Sequence, residues 1–253
     1  MQKDAVLFRN ADDALLLAGV LRADMISRTY GKAETADCRA EQVRLVNGCA
    51  AFTADIRGKR VEVKLGVPGE HQVWNVLAAL GVAEAYGVPL EGAASELANF
   101  KGYRHRQQIF VRDGVLVIDD SYNASPDSMR AALSILREMK DRRRIAVLGD
   151  MKELGAAETE LHREIGAELA AAEGADCVFT LGELAGTLAA AFREHCKAAY
   201  HPELKCFIKR EELFAALKET VKPGDALLFK ASNSMKFSEL ADYFSGQGER
   251  GEH

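Results

Sequence analysis

The run Val115-Leu116-Val117-Ile118-Asp119-Asp120-Ser121-Tyr122-Asn123-Ala124-Ser125-Pro126-Asp127-Ser128-Met129 reads as a strand, a tight loop and a helix. Four apolar residues make a buried strand that delivers two adjacent carboxylates to its carboxyl end. Ser125 suits an N-cap, Pro126 suits the first helical position, and Asp127 complements the helix dipole. Met129, Ala132, Leu133 and Leu136 then recur at helical spacing and form a stripe to bury. Successive strand residues face opposite ways, so Asp119 and Asp120 point apart. A paired acid–base role is therefore poor, and a carboxylate accepting from ribose hydroxyls is better.

The same alternation continues outward. Strands are expected near 115–118, 145–148, 178–181, 207–208 and 226–229, and helices near 127–140, 158–173, 183–195, 211–221 and 237–244. Strands alternating with helices of this length mean βαβ units, a mostly parallel sheet and right-handed crossovers, so the class is α/β. Ligands of such sheets sit beyond the carboxyl ends of the strands. The turns of interest are thus 119–126, 149–155, 182–183 and 230–236.

Toward the N-terminus the texture differs. Ala5-Val6-Leu7-Phe8 is a short strand ended by Asn10-Ala11-Asp12-Asp13. Residues 50–56 and 60–65 flank Arg57-Gly58-Lys59, and the second run alternates charged and apolar residues, which predicts a hairpin. Residues 67–70 read as a turn, followed by a helix from Val73 to about Tyr86, stopped by Gly87 and Pro89, and another from Leu90 to about Asn99. The expected division is 1–107 and 108–253, with the tail from Ser245 frayed.

With 253 residues, 48% hydrophobic and 28% charged, the chain can bury one or two real cores. The 33 basic and 38 acidic residues leave a net charge of -5, which gives no basic footprint for nucleic acid. A single Trp and 7% aromatic residues offer no stacking platform for single strands. No apolar run approaches the roughly 18–20 residues of a membrane span, and Met1-Gln2-Lys3-Asp4 lacks a signal-peptide core. Cys38, Cys49, Cys177, Cys196 and Cys206 form no C-x-x-C pair and no zinc spacing, so they are expected to be reduced. A cytoplasmic protein is expected.

Two phosphate-binding signatures are absent. Gly246-Gln247-Gly248-Glu249-Arg250-Gly251 spells G-x-G-x-x-G, but it follows a helix rather than a strand and nearly ends the sequence, so it is rejected. Gly31-Lys32-Ala33 and Gly58-Lys59-Arg60 both fail the P-loop pattern.

Three further blocks carry candidate chemistry. In Gly69-Glu70-His71-Gln72-Val73-Trp74-Asn75, the Gln72 and Asn75 amides share one helix face and suit an adenine edge, or merely cap the helix. In Lys101-Gly102-Tyr103-Arg104-His105-Arg106, the cations could clamp phosphate, or be a solvated basic turn. Leu148-Gly149-Asp150-Met151-Lys152-Glu153-Leu154-Gly155 is a strand and acidic loop. The helix after it carries His162, which reads as packing or capping.

These blocks, in this order, resemble the Mur ligases, and among them the type that joins D-alanyl-D-alanine to a UDP-N-acetylmuramoyl tripeptide. The family's D-D-S-Y-N-A-N-P-x-S-M stands here as Asp119 through Met129, with Ser125 for the second Asn. Its L-G-D-M-x-E-L-G is complete from Leu148 to Gly155, and its L-H-x-x-x-G at Leu161, His162 and Gly166. Its H-N-x-x-N stands as His71-Gln72-Val73-Trp74-Asn75, its N-A-D-D as Asn10-Ala11-Asp12-Asp13. Its K-G-S-R-x-M-x-M-E begins Lys230-Ala231-Ser232-Asn233, with Ala and Asn for Gly and Arg.

The resemblance implies the last part of a central ATPase domain followed by a complete Rossmann-like domain. The family's P-loop, magnesium ligands and carbamylated lysine are expected upstream of the position equivalent to Met1, so the chain is expected to be a C-terminal fragment or split chain. ATP and Mg2+ are the implied cofactors, with the metal ligands outside these residues. By resemblance, Gln72 and Asn75 meet adenine, Asp120 the ribose, and Arg106 with His105 the phosphates. Asn123, Ser232, Asn233 and Ser234 face the dipeptide. The implied substrates are the UDP-N-acetylmuramoyl tripeptide and D-Ala-D-Ala, with a missing N-terminal ligase portion as partner. An alternative is a non-catalytic module that binds nucleotide or docks a partner. A folylpolyglutamate synthetase-like ligase is disfavoured by the complete L-G-D-M-x-E-L-G.

Overall fold

The computed structural model describes residues 5–46 and 48–247. The residues before Ala5, and the part of the G-x-G-x-x-G run beyond Gln247, lie outside them. The described chain forms two compact units that meet at Lys101/Gly102.

The first unit runs β1 (Val6–Asn10), α1 (Ala14–Ala18), β2 (Ile26–Gly31), β3 (Cys38–Val46), β4 (Cys49–Ile56), β5 (Lys59–Pro68), α2 (Gln72–Ala85) and α3 (Leu90–Asn99). Its sheet order is β1-β2-β3-β4-β5, parallel from β1 to β3 and antiparallel from β3 to β5. The expected hairpin is β4–β5. Arg57 (φ 54) and Gly58 (φ 87) both take the left-handed backbone that a tight two-residue hairpin turn demands. Phe52, Ile56, Val63 and Leu65 of the sheet pack against Val73, Leu77 and Leu80 of α2 and Leu90 of α3.

Three expectations change here. β5 continues through Val67 and Pro68, and the turn begins only at Gly69 (φ 102). Pro68 is tolerated because β5 is an edge strand. β2 and β3 were not expected. A register shift between Glu41 and Arg44, with Gln42 at φ 54, breaks the period-two pattern of β3 midway.

The second unit runs β6 (Gln108–Arg112), β7 (Val115–Asp119), α4 (Pro126–Arg137), β8 (Arg143–Gly149), α5 (Glu158–Ala171), β9 (Cys177–Leu181), α6 (Glu183–His195), β10 (Glu203–Phe207), α7 (Arg210–Thr220), β11 (Asp225–Lys230) and α8 (Phe237–Ser245). The strand order is β10-β9-β8-β11-β7-β6. Every pairing is parallel except β6 with β7. One sheet face carries α4, α5 and α6 through Met129, Leu136, Ile165, Leu169, Leu188 and Phe192. The other carries α7 and α8 through Leu213, Leu217, Phe237 and Leu240.

Ser125 caps α4 as expected, accepting the Ser128 N–H, with Pro126 at the first helical position. The unexpected β6 pairs with β7 across Asp113-Gly114, whose positive φ values (51 and 79) make an Asp-Gly hairpin turn. β10 ends at Phe207, leaving Ile208 exposed, rather than spanning 207–208. It is an edge strand, and its Glu203 and Lys205 give it the charged character of one. The boundary precedes 107/108 because residues 105 and 107 hydrogen-bond to Asp119 and Asp120 of the second unit.

Among the described residues no helix is long and apolar enough to cross a membrane. All five cysteines are free thiols. Burial pushes the Cys38 and Cys177 thiols up to about 11, whereas Cys206 is exposed. At pH 7.5, iodoacetamide should modify Cys206 at least about tenfold faster than Cys38 or Cys177, as read by peptide mass mapping. Equal rates would contradict the burial of those two side chains.

Candidate functional site

The chain leaves β7 and β8 toward α4 and α5 on one face of the sheet. It leaves β11, which lies between them, toward α8 on the other. Divergence of neighbouring strands opens a crevice at their carboxyl ends, the ligand position of open α/β sheets. The loops 119–125, 149–155 and 230–236 border it.

The two aspartates do point apart. Asp120 ion-pairs with the Lys230 Nζ at 2.7 Å and accepts the Gln107 N–H at 3.2 Å. Lys230 also donates to the Asn123 carbonyl at 2.8 Å, and both side chains of the pair are buried. Burial pushes the Asp120 carboxyl up and the Lys230 ammonium down, each opposed by the other's charge. Asp119 instead accepts from Ser121 N–H and Oγ–H on one oxygen and meets the His105 Nδ1 at 2.7 Å on the other. Asp242 of α8 lies within 4.8 Å of His105 and Asp119, and Arg104 pairs with it at 2.9 Å.

Arg106 lies with its guanidinium carbon 4.1 Å from the Tyr122 ring centroid. It sits between His105 (φ 61) and Gln107 (φ 51), non-glycine residues in left-handed backbone that costs about 1–2 kcal/mol each. Asn233 donates from Nδ2 to the Tyr122 carbonyl at 3.1 Å, and Ser234 is exposed. Ser232 is buried. Its Oγ accepts the Lys152 N–H at 2.8 Å, and its own N–H donates to the Asp150 carbonyl at 3.0 Å. The Asn123 side chain accepts the Ala124 N–H at 2.9 Å.

The acidic loop is held from below. The Asp150 carboxylate accepts the Ala185 N–H at 2.8 Å at the start of α6 and pairs with Lys152 at 2.7 Å. His162 is fully buried, accepts the Met151 N–H on Nε2 at 2.9 Å and donates from Nδ1 to the Glu158 carbonyl at 2.6 Å. Its burial fits the packing reading, and its bond to the Met151 N–H adds that it fixes the loop. Gly149 leaves room for Ala231: a Cβ at position 149 would lie 2.6 Å from the Ala231 methyl.

In the first unit the Asn75 Nδ2 donates to the Gln72 Oε1 at 3.0 Å, so these two amides do share a face. Asp12 accepts the Lys32 and Ala33 N–H groups at 2.8 and 2.9 Å and the Trp74 indole N–H at 2.6 Å. Burial raises its pKa, but these hydrogen bonds outweigh burial and hold it below the ordinary value. The Lys32 ammonium lies 4.5 Å from the Trp74 ring centroid and pairs with Glu70.

Thus Asp120, Asn123, His105, Arg106 and the 232–234 loop come together in the second unit, while Gln72 and Asn75 form their own group in the first. Sequence reasoning did not single out Tyr122, Lys152 or the Asp120–Lys230 pair. A lysine ending the apolar run Ala226-Leu227-Leu228-Phe229 was a legible sign that a buried carboxylate would meet it.

Two domain families match the chain. The Mur ligase middle domain matches residues 1–83, and the Mur ligase glutamate ligase domain matches residues 105–233. The chain belongs to the Mur ligase family. It is 31% identical over 242 residues to the UDP-N-acetylmuramoyl-tripeptide–D-alanyl-D-alanine ligase of Bacillus subtilis (strain 168), covering 95% of this chain and 51% of that protein. The ligase of the same name from Escherichia coli (strain K12) is 32% identical over 224 residues, covering 86% and 49%. Among solved structures, a MurF ligase from Thermotoga maritima in complex with ADP superposes with a TM-score of 0.77 at 26% identity. That match covers 98% of this chain and 55% of that one. This Mur ligase chain therefore spans about half the length of the curated relatives it matches.

Proposed function

We propose that this chain supplies the nucleotide-facing and acceptor-side part of an ATP-dependent ligase that adds D-alanyl-D-alanine to a UDP-N-acetylmuramoyl tripeptide. One observation carries the reading: the segments around Arg106, Asp120, Asn123 and Asn233, to which the family resemblance gives phosphate, ribose and dipeptide, lie together at the carboxyl ends of β7 and β11. In that reaction the terminal phosphoryl group of ATP passes to the tripeptide carboxylate, giving an acyl phosphate and ADP. The dipeptide amine then attacks the acyl carbon and phosphate leaves.

Negative charge collects on phosphoryl oxygens, and Arg106 is the group here suited to meet it. Asp120 Oδ2 is buried against Lys230, so Oδ1, which keeps a second lone pair beside the Gln107 N–H, is the oxygen that can accept from a ribose hydroxyl. The Gln72–Asn75 amide pair can donate to and accept from an adenine edge. By the family resemblance, Asn123 and Asn233 meet the amide and carboxylate of the dipeptide. The sequence contains no P-loop pattern, so a nucleotide is held here either by other contacts or, in this proposal, by a triphosphate cradle on another stretch of polypeptide.

The His105–Asp119–Asp242 group does not fit Mg2+. That ion prefers six oxygens, whereas Asp242 is paired with Arg104 and Asp119 is already bonded to His105 and Ser121. No metal role is assigned to these residues. Five free thiols suit a reducing, cytoplasmic setting.

The test mixes this chain with the P-loop-bearing N-terminal half of a MurF relative, the UDP-linked tripeptide, D-Ala-D-Ala and ATP. The expected result is phosphate release and a pentapeptide product by mass spectrometry, requiring both polypeptides. Turnover by this chain alone would remove the need for a supplied cradle. Asn233 in place of the family's Arg favours a second reading, a non-catalytic docking module. Calorimetry that detects neither nucleotide nor dipeptide binding would select that reading instead.

A further inference from the structure

We infer that His105 and Asp119 are positioning residues that act through Arg106: their hydrogen bond sets the guanidinium over Tyr122 for a phosphoryl oxyanion, and neither touches the anion. The inference rests on the reading of Arg106 above. It reassigns His105 from ligand contact to support and gives Asp119, the first acid of the pair, a task.

The side chain of Asp119 is already engaged. It is almost wholly buried, and three donors, from Ser121 and His105, occupy its two oxygens. The imidazole Nδ1 of His105 is committed to that carboxylate. The backbone around Arg106 is held on both sides by the aspartate turn. The His105 carbonyl accepts the Tyr122 N–H at 2.9 Å, the His105 N–H donates to the Gln108 Oε1 at 3.0 Å, and the Gln107 N–H donates to Asp120 at 3.2 Å. Two left-handed residues in three positions are a conformation that a free loop would abandon, so these bonds are what maintain it. Between them Arg106 stacks on a half-exposed tyrosine and, among the described residues, pairs with no carboxylate. A guanidinium held this way keeps its donor edge for an incoming anion.

The experiment is a double-mutant cycle on the full chain, titrated by calorimetry with ADP and with inorganic triphosphate, folding being checked by circular dichroism. Arg106→Ala should weaken binding roughly tenfold, the scale of one charge-assisted hydrogen bond. His105→Gly accepts the left-handed backbone freely, so it isolates the imidazole, and it should lose nearly as much. The His105→Gly/Arg106→Ala double variant should bind no more weakly than Arg106→Ala alone. His105→Asn tolerates the same backbone and keeps a donor at the δ position, so it should recover most of the affinity.

An additive double variant would overturn the inference while leaving Arg106 as the phosphate contact. So would a His105→Gly protein that binds like the parent. An Arg106→Ala protein with parental affinity, or a parent chain that binds neither probe, would overturn both the inference and the reading beneath it.

Discussion

Gly166→Ala is expected to destabilise the second unit by about 3 kcal/mol or more, lowering its thermal midpoint by roughly 2–4 °C per kcal/mol. Gly166 lies inside α5, where alanine would ordinarily gain about 1 kcal/mol from helix propensity. Packing reverses the sign. A Cβ at this position would sit 2.1 Å from the Leu188 carbonyl oxygen and 3.0 Å from the Phe192 nitrogen of α6. Both obstacles are backbone, so no rotamer change relieves them, and α5 and α6 would have to separate. That would open the layer in which Ile165, Leu169, Leu188 and Phe192 interlock. Gly186 of α6 supplies the control. A Cβ there meets nothing within 4 Å, so Gly186→Ala should raise stability by roughly 0.5–1 kcal/mol. Thermal unfolding followed by circular dichroism reads both. A Gly166→Ala protein as stable as the parent would mean that the helices do not approach this closely.

The contrast between these two glycines also marks the limit of what the sequence discloses. Both stand inside helices of ordinary pattern; the family's L-H-x-x-x-G singles out Gly166, but only the neighbouring helix gives the physical reason. The alternation that runs from Val115 to the last helix was legible because each βα unit is local: strand, cap and amphipathic stripe lie within about 20 residues. β3 escaped because a bulge shifts its phase midway. β6 escaped although Asp113-Gly114 announces a hairpin. The candidate site was legible as motifs but not as geometry. Asp119 and Asp120 were expected to diverge, and they do. Their partners could not be named, because Lys230 lies 110 positions from Asp120 in sequence and meets it only when β11 inserts between β7 and β8. The same long-range closure brings Asn233 to the Tyr122 carbonyl.

Lys230→Met is expected to cost about 3–5 kcal/mol at pH 7.5, because it strands a carboxylate that is only 6% exposed. Methionine preserves much of the lysine stem's volume, so the loss is one of charge, together with the bond to the Asn123 carbonyl. In the parent protein burial acts against both ions, and their mutual attraction opposes it. Without the ammonium, burial and the neighbouring Asp119 charge are opposed only by the Gln107 N–H, and the Asp120 carboxyl is pushed further above its ordinary value of 3.8. The sign of the pH dependence follows. A carboxyl whose folded pKa exceeds its unfolded one favours the fold below the unfolded value and loses that contribution as pH rises through the folded one. The deficit of Lys230→Met relative to the parent should therefore be smaller near pH 4 than at pH 7.5. Adding Asp120→Asn removes the stranded charge and should recover most of the loss at pH 7.5, giving a large coupling in the double-mutant cycle. Urea titrations at the two pH values decide it. A pH-independent deficit, or a double variant no more stable than Lys230→Met, would mean that Lys230 stabilises the crevice by packing rather than by neutralising Asp120.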